Sequence, residues 1–171
     1  MFEYLMPDLL FEAPADSAWR RSAAAVVDLQ IDRAIDGMWG VSESGCYEFD
    51  EDMNYQYRAF GIEDVGSRAD LSAGVIAPYA AALALKYCPQ EAVAALRRMA
   101  EKGYWDECGL FEAIDFRDGE PRCVASHMAH HQGMLFCAIA NALTDGILWR
   151  SKMQLPEFRA LEPLLQEKLQ M

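Results

Sequence analysis

All three histidines of the sequence lie within eight residues, in the stretch HMAHHQGM from His127 to Met134. If a helix begins here, His127, His130 and His131 fall at positions i, i+3 and i+4 on one face. Zinc is bound at such spacings, but a zinc site needs further ligands, and neither an HEXXH motif nor a finger-type cysteine spacing is present. We therefore predict no metal and no cofactor. Imidazoles at a helix N-terminus are kept neutral and can hydrogen-bond a ligand.

Two glutamates stand in segments rich in glycine and aromatic residues. Glu43 lies in WGVSESG, and Glu112 lies with Asp115 in GLFEAIDF. Cleavage of a glycosidic bond requires one carboxyl group that protonates the leaving oxygen and a second that attacks or activates water. The apolar neighbours of Glu112 would raise its pKa if they bury it. On spacing alone, the alternative that such carboxylates cap helices or pair with arginines stays open.

Aromatic and polar side chains are interleaved in NYQYRAFG, downstream of a tryptophan. Aromatic faces stack on the apolar faces of sugar rings, while glutamine and arginine side chains hydrogen-bond to hydroxyl groups. The predicted sugar-binding residues of this region are Trp39, Tyr55, Gln56, Tyr57, Arg58 and Phe60. The alternative is a strand that packs Tyr55 and Tyr57 into the core on one face.

Helical periodicity flanks two segments that show no sustained period, 37–66 and 104–125. The pattern predicts helices over 16–36, 72–87 and 89–103, one that Ser126 caps and that ends near Gly146, and one after Pro156. Long segments without a period inside a compact domain usually carry function. The sequence therefore predicts an all-α fold of helical hairpins with long irregular aromatic loops, forming a single domain over 1–171.

Composition excludes several classes of partner. The chain has 171 residues, a hydrophobic fraction of 53% and a net charge of −12. Such a charge argues against nucleic acid, which needs a basic footprint, and against docking on an anionic membrane. A neutral carbohydrate remains compatible, because its recognition does not depend on net charge.

Cysteine usage and hydropathy predict a soluble, cytoplasmic protein. The five cysteines are an odd number without a CxxC pair, which is typical of free thiols in a reducing compartment. The N-terminal stretch lacks the basic start of a signal peptide. The longest apolar run, GVIAPYAAALAL, contains a proline and falls short of the ~20 apolar residues that span a bilayer, so we expect no membrane insertion.

Seven motifs together resemble one family. MFEYLMP, WGVSESG, YQYRAFGI, VIAPYAAALAL, GLFEAIDF, MAHHQGM and the closing LLQEK occur here in the order found in the glycoamylase-like domain of bacterial cyclic β-1,2-glucan synthases. The resemblance runs from Met1 to about Lys168. Any one motif is weak evidence, whereas seven in order with similar spacing indicate kinship.

The resemblance implies an (α/α)6 toroid, in the cytoplasmic part of a membrane-bound synthase, that closes linear β-1,2-glucan into rings by retaining transglycosylation. It implies Glu43 as general acid/base and Glu112 as nucleophile, with Asp115 among the substrate-binding residues. The matched MAHHQGM motif places His130, His131 and Gln132 at the sugar, whereas His127 lies outside it. Retention predicts carboxyl groups roughly 5–5.5 Å apart.

The chain departs from the family in its length, because it supplies only about half of a six-hairpin toroid. An alternative is therefore a non-catalytic carbohydrate-binding or assembly module of a larger glucan synthase. An incomplete toroid also leaves apolar helix faces uncovered, so we expect a homo-oligomer or a partner that completes the toroid.

Overall fold

The structure, a computed structural model, describes residues 1–66 and 74–168. In these ranges the chain forms short α-helices, two 3-10 helices and short strands. The α-helices are Phe2–Leu5 (α1), Ala18–Asp32 (α2), Pro78–Leu83 (α3), Pro89–Glu101 (α4), Ala129–Leu143 (α5), Ile147–Lys152 (α6), Pro156–Arg159 (α7) and Glu162–Leu165 (α8). The 3-10 helices are Met6–Leu9 and Ala84–Lys86. The strands are Ser44–Phe49 (β1), Tyr55–Arg58 (β2), Val75–Ile76 (β3), Trp105–Asp106 (β4), Gly109–Leu110 (β5), Ala113–Asp115 (β6) and Arg122–Val124 (β7).

The predicted helices are present, with different ends. Helix α2 begins after Ser17, whose hydroxyl caps it by accepting a hydrogen bond from the Arg20 amide at 3.2 Å. It ends at Asp32 rather than at residue 36, because Ile35 and Met38 pair in an isolated bridge. Helix α5 begins at Ala129, after Met128 in an extended conformation, so the prediction that Ser126 caps it is wrong.

The helix predicted over 72–87 is shorter than expected, and its residues 72 and 73 lie outside the described ranges. Pro78 is the first residue of α3, and the residue before it, Ala77, is extended. Proline suits the first turn of a helix and disfavours the helical conformation in the residue before it. Val75 and Ile76 consequently form strand β3 instead of a first helical turn. The helix predicted after Pro156 is divided into α7 and α8, and its last two predicted residues are not described.

The predicted helical fold is observed in part: the helices are present, but the two segments predicted as irregular loops both contain strands, so the described ranges are not all-α. In 37–66, β1 and β2 form an antiparallel hairpin with Gly45 opposite Tyr57. In 104–125, β4 pairs with β5, and β6 lies between β3 and β7 in a three-stranded antiparallel sheet. These strands have two to six residues, too few for a clear alternation of apolar and polar residues.

Helix α3 lies at the centre of the main hydrophobic core, and all of its residues are buried. Its alanines let neighbouring elements approach closely, and buried residues of α2, α4 and α5 pack in the same cluster. Two smaller clusters lie under the strands. Among the described residues no helix is both long and apolar enough to cross a bilayer. On α5, Phe136 and Leu143 remain 72% and 81% exposed.

The WGVSES segment is fixed between α2 and α3. The buried Gln30 amide group donates to the Val41 carbonyl at 2.9 Å and accepts from the Val41 amide at 2.7 Å. Gly40 has φ +122°, and a Cβ there would stand 2.9 Å from the Ala77 carbonyl oxygen, so only glycine fits. Its own carbonyl accepts from the Ala77 amide at 3.0 Å.

Replacing Gln30 with leucine tests this attachment. The Val41 amide and carbonyl would be left buried without partners, so we expect the free energy of unfolding to fall by about 2–4 kcal/mol. Urea denaturation measures the loss. Gln90→Leu, at an exposed position of α4, is the matched control and should change stability by less than about 0.5 kcal/mol. Equal effects of the two substitutions would contradict the attachment.

Candidate functional site

Glu112 lies between β5 and β6 and is only 2% exposed. Its backbone amide donates to the Ser126 carbonyl at 2.9 Å. Its Oε1 accepts a hydrogen bond from the Gly45 amide at 3.1 Å and lies 2.8 Å from His131 Nδ1. Its Oε2 is buried and has no hydrogen-bond partner among the residues that the structure describes. The carboxyl group is therefore anchored through one oxygen, while the other is buried without a described partner.

Close packing at Gly45 makes this contact possible. A Cβ at this position would lie 3.2 Å from Glu112 Cγ and 3.1 Å from Val124 Cγ1. Both distances are tighter than ordinary van der Waals contacts. Glycine thus allows the backbone of β1 to approach the glutamate and present its N–H group.

His131 lies in the first turn of α5 and is 1% exposed. Because an ionised Glu112 can only accept, its contact with Nδ1 requires the proton on that nitrogen. The Tyr79 ring stacks on the imidazole with centroids 3.9 Å apart and planes 12° apart, and the His130 ring lies 4.0 Å away. These contacts fix the ring plane and the tautomer of His131.

Tyr57 connects Glu43 with His131. Its hydroxyl group lies 3.5 Å from His131 Nε2 and close enough to Glu43 for that carboxylate to act on the pKa of the phenol. Partial burial raises the pKa of the Tyr57 phenol, and the negative charges of Glu43 and Glu112 raise it further. The phenol therefore keeps its single proton, which it can donate either to the Glu43 carboxylate or to His131 Nε2. Glu43, Tyr57, His131 and Glu112 form one continuous series of polar contacts, which we call the glutamate series.

Glu43 is half-buried and reaches a cavity. Tyr79 holds the backbone at Glu43 in place. Its hydroxyl group donates to the Ser42 hydroxyl at 2.9 Å and lies 3.0 Å from the Glu43 carbonyl oxygen. The cavity, of about 140 Å³, is lined by Glu43 with Ser42, Phe60 and residues of α1. A larger cavity of about 490 Å³, beside Lys86 and Trp149, contains neither glutamate. The smaller cavity is lined by Glu43 but not by Glu112, so Glu43 is the member of the pair that faces it.

Three of the predicted binding residues lie in the interior. Trp39 and Phe60 are each 3% exposed and belong to hydrophobic clusters. Asp115 is 4% exposed and accepts from the Tyr47 amide at 2.9 Å and from Arg117. Burial opposes ionisation of Asp115, but the hydrogen bonds from Arg117 and Tyr47 outweigh it and lower the pKa. Their positions in this structure are those of supporting residues.

The other predicted residues of the β1–β2 hairpin lie nearer the surface. Tyr55 and Gln56 are half-buried, and Tyr55 packs against Phe49 with ring centroids 4.9 Å apart. Tyr57 is 41% exposed, and the exposed Arg58 forms an ion pair with Glu48. Of this group, Tyr57 is the residue that contacts the glutamate series. That the others contact a sugar stays a prediction.

The three histidines do not share one helix face. His127 precedes α5 and contacts Asp106 at 3.0 Å, whereas His130 is exposed and His131 buried. Gln132 donates to the Leu110 carbonyl at 2.9 Å. Its amide group therefore fastens the start of α5 to β5, and the predicted contact of Gln132 with sugar stays a prediction.

Sequence reasoning missed Tyr79 and Gln30. Tyr79 stands in the apolar run around α3, and Gln30 stands on the buried face of α2. The available signal was a single hydrogen-bonding side chain in an otherwise apolar position, since such a group must find a partner when it is buried.

Comparisons with known proteins agree with the resemblance drawn from the motifs. Residues 32–156 match the Glycoamylase family, described as "Putative glucoamylase". Over 178 residues the chain is 37% identical to the cyclic beta-(1,2)-glucan synthase NdvB of Rhizobium meliloti, which covers 98% of this chain and 6% of that protein. The chain thus spans a small part of this curated relative.

Solved structures show the same fold. The chain matches a "putative glucoamylase" from Bacteroides fragilis with a TM-score of 0.73 and 19% identity, covering 99% of this chain and 41% of that one. It matches an endo-beta-1,2-glucanase from Chitinophaga pinensis with a TM-score of 0.61 and 21% identity, covering 86% of this chain and 34% of that one. It matches a beta-1,2-glucanase from Parabacteroides distasonis with a TM-score of 0.69 and 19% identity, covering 96% of this chain and 24% of that one.

Two substitutions of Glu112 test its structural contacts. Glu112→Ala removes the acceptor for two buried donors and leaves a cavity, so we expect a loss of about 2–4 kcal/mol in the free energy of unfolding. Glu112→Gln keeps an acceptor oxygen for Gly45 and His131 and should cost about 1–2 kcal/mol less than the alanine variant. Denaturant unfolding measures both, and an alanine variant as stable as the wild type would contradict the described contacts.

Proposed function

The chain belongs to the Glycoamylase family, and we propose that it is part of a carbohydrate-active domain that acts on β-1,2-glucan. The match over residues 32–156 supports the family, and two kinds of relative support the substrate. One is named as a cyclic beta-(1,2)-glucan synthase and the others as beta-1,2-glucanases. Within this proposal the chain supplies part of an (α/α)6 toroid.

We propose Glu43 and Glu112 as the catalytic pair. The observation that carries this assignment is the buried Oε2 of Glu112, which has no partner in the described part of the chain while Oε1 is held by Gly45 and His131. A buried polar atom without a partner costs free energy and calls for an explanation in function. An anchored carboxylate with one unpaired oxygen suits a nucleophile, and the half-buried Glu43 at the cavity suits a general acid/base.

The proposed reaction is a retaining displacement in two steps. Glu112 Oε2 attacks the anomeric carbon while protonated Glu43 gives its proton to the glycosidic oxygen, which leaves as a hydroxyl group. The covalent glycosyl–Glu112 intermediate is then attacked by water in hydrolysis, or by a glucan hydroxyl group in transfer. Glu43 takes the proton of that nucleophile, so both glutamates return to their starting states.

Tyr57 and His131 hold the two carboxyl groups in their different roles. In the second step Glu112 leaves the anomeric carbon as a carboxylate. The N–H group at His131 Nδ1 stabilises the negative charge that develops on this carboxylate. The Tyr57 hydroxyl keeps its proton beside Glu43 and can donate it to orient the Glu43 carboxylate. The glutamate series therefore orients both carboxyl groups for the reaction. None of the proposed steps uses a metal ion.

A second candidate function is a carbohydrate-binding or assembly module that depends on another polypeptide for chemistry. Two observations favour this function. The side chain of Glu112 is 0% exposed, and the chain covers 41% of the Bacteroides fragilis structure. In this case sugar binds beside Tyr57 and Glu43. Glu112 becomes accessible to the sugar only when another polypeptide completes the toroid.

Product analysis with β-1,2-glucan separates the two functions. For the enzyme, Glu43→Gln and Glu112→Gln should each lower turnover by at least about 10³-fold while calorimetry still detects oligosaccharide binding, because removing a catalytic group spares ground-state contacts. Glu51→Gln, in the exposed turn between β1 and β2, is the matched control and should keep wild-type turnover. Wild-type activity in both site variants would refute the assignment. Binding by the wild type without any product would favour the module.

A further inference from the structure

Three side chains of different chemistry converge at the β4–β5 hairpin, apart from the glutamate series. Asp106 ends β4, Cys108 lies in the turn, and His127 stands just before α5. One ligand atom from each, a carboxylate oxygen, a sulfur and an imidazole nitrogen, lies within 4.8 Å of the other two. His127 Nε2 is 3.0 Å from Asp106 Oδ1.

We propose that Asp106, Cys108 and His127 bind one divalent transition-metal ion of the zinc class. Zinc takes thiolate, imidazole and carboxylate ligands together, whereas calcium and magnesium take oxygen ligands. Metal–ligand bonds of about 2.0–2.3 Å in tetrahedral geometry place ligand atoms roughly 3.3–3.6 Å apart. The three atoms already lie within 4.8 Å of one another, so the change needed to reach this spacing is on the order of 1 Å.

Contacts around the three ligands hold them in place. The Cys108 amide donates to Asp106 Oδ1 at 2.8 Å, which fixes the carboxylate over the turn. The Gln132 amide group lies 3.5 Å from His127 Nδ1, and the Phe111 ring lies 5.5 Å from the imidazole. A polar group on the second ring nitrogen is what orients a ligating histidine. Gln132, placed by its bond to Leu110, packs beside that nitrogen through its amide NH2 group and leaves the proton on Nδ1 to solvent.

The charges of the site balance those of the ion. The Cys108 thiol loses its proton to solvent and binds as thiolate, and Asp106 binds as carboxylate, so a dication is neutralised. His127 binds through Nε2 as a neutral imidazole, with the proton on Nδ1. Cys108 is exposed, which leaves the fourth position of the tetrahedron to water.

A metal ion here would fasten the β4–β5 hairpin to the start of α5. The residue before His127, Ser126, accepts the hydrogen bond from the Glu112 amide at 2.9 Å, and His131 follows four residues after His127. The ion would therefore stabilise the segments that carry Glu112 and His131. The inference does not rest on the proposed function, since its ligands lie outside the glutamate series.

Titration of the reduced, metal-free full chain with Co²⁺, and competition with Zn²⁺, tests the site. We expect one ion per chain, a sulfur-to-cobalt charge-transfer band, and a rise in Tm with zinc, because an ion that binds only the folded state stabilises it. Cys108→Ser should abolish the charge-transfer band, and Asp106→Asn and His127→Gln should weaken cobalt binding at least about tenfold.

Cys137→Ser, a half-buried cysteine on α5, is the matched control and should keep the band, the stoichiometry and the zinc-induced rise in Tm. Glu112→Gln should also bind cobalt like the wild type, which separates this site from the glutamate series. Near-ultraviolet circular dichroism of Cys108→Ser checks that it is folded. Absence of saturable binding in the wild type, or equal affinity and band in Cys108→Ser, would show that Asp106 and His127 form a surface ion pair only.

Discussion

The contacts of Glu112 with Gly45 and His131 are the constraint on which the arrangement of this chain depends. They join β1 and α5 to the segment before β6, and Gly45 and Glu112 are 67 residues apart in sequence. Each partner has a structural requirement that follows. Position 45 must be glycine for the close approach, α5 must begin near residue 129 to direct His131 inward, and β6 must be placed by its pairing with β3 and β7.

Burial of Glu112 is costly, and the surrounding residues offset only part of that cost. A buried carboxylate requires hydrogen-bond donors, and Glu112 has two, both on Oε1. Within residues 1–66 and 74–168, Oε2 remains without a partner, as does the Ser44 hydroxyl. A fold selected for stability alone would place an apolar side chain here. Retention of the unpaired oxygen is consistent with a site that keeps strain and unmet polar groups for function.

Polar side chains placed singly on apolar helix faces hold the loops that carry the site. Gln30 satisfies both backbone groups of Val41, and Tyr79 contacts Ser42 and the backbone of Glu43 while its ring covers His131. The helices thus perform two tasks with different parts of one surface. Their apolar residues form the core. The single polar group on each helix holds a neighbouring segment in place where that segment has no regular secondary structure.

The sequence by itself determined the helices α2, α4 and α5, the two glutamates as candidates, and the family, because helical periodicity and motif order are local properties of the chain. It could not determine the short strands, since two to six residues show little alternation and β3 pairs with the distant β6. Tertiary structure alone decided that Trp39, Phe60 and Asp115 are buried, that Tyr57 joins Glu43 to His131, and that His127 turns away to Asp106 and Cys108. The physical reason is that burial and side-chain contacts depend on which distant segments the core brings together, and spacing along the chain does not record this.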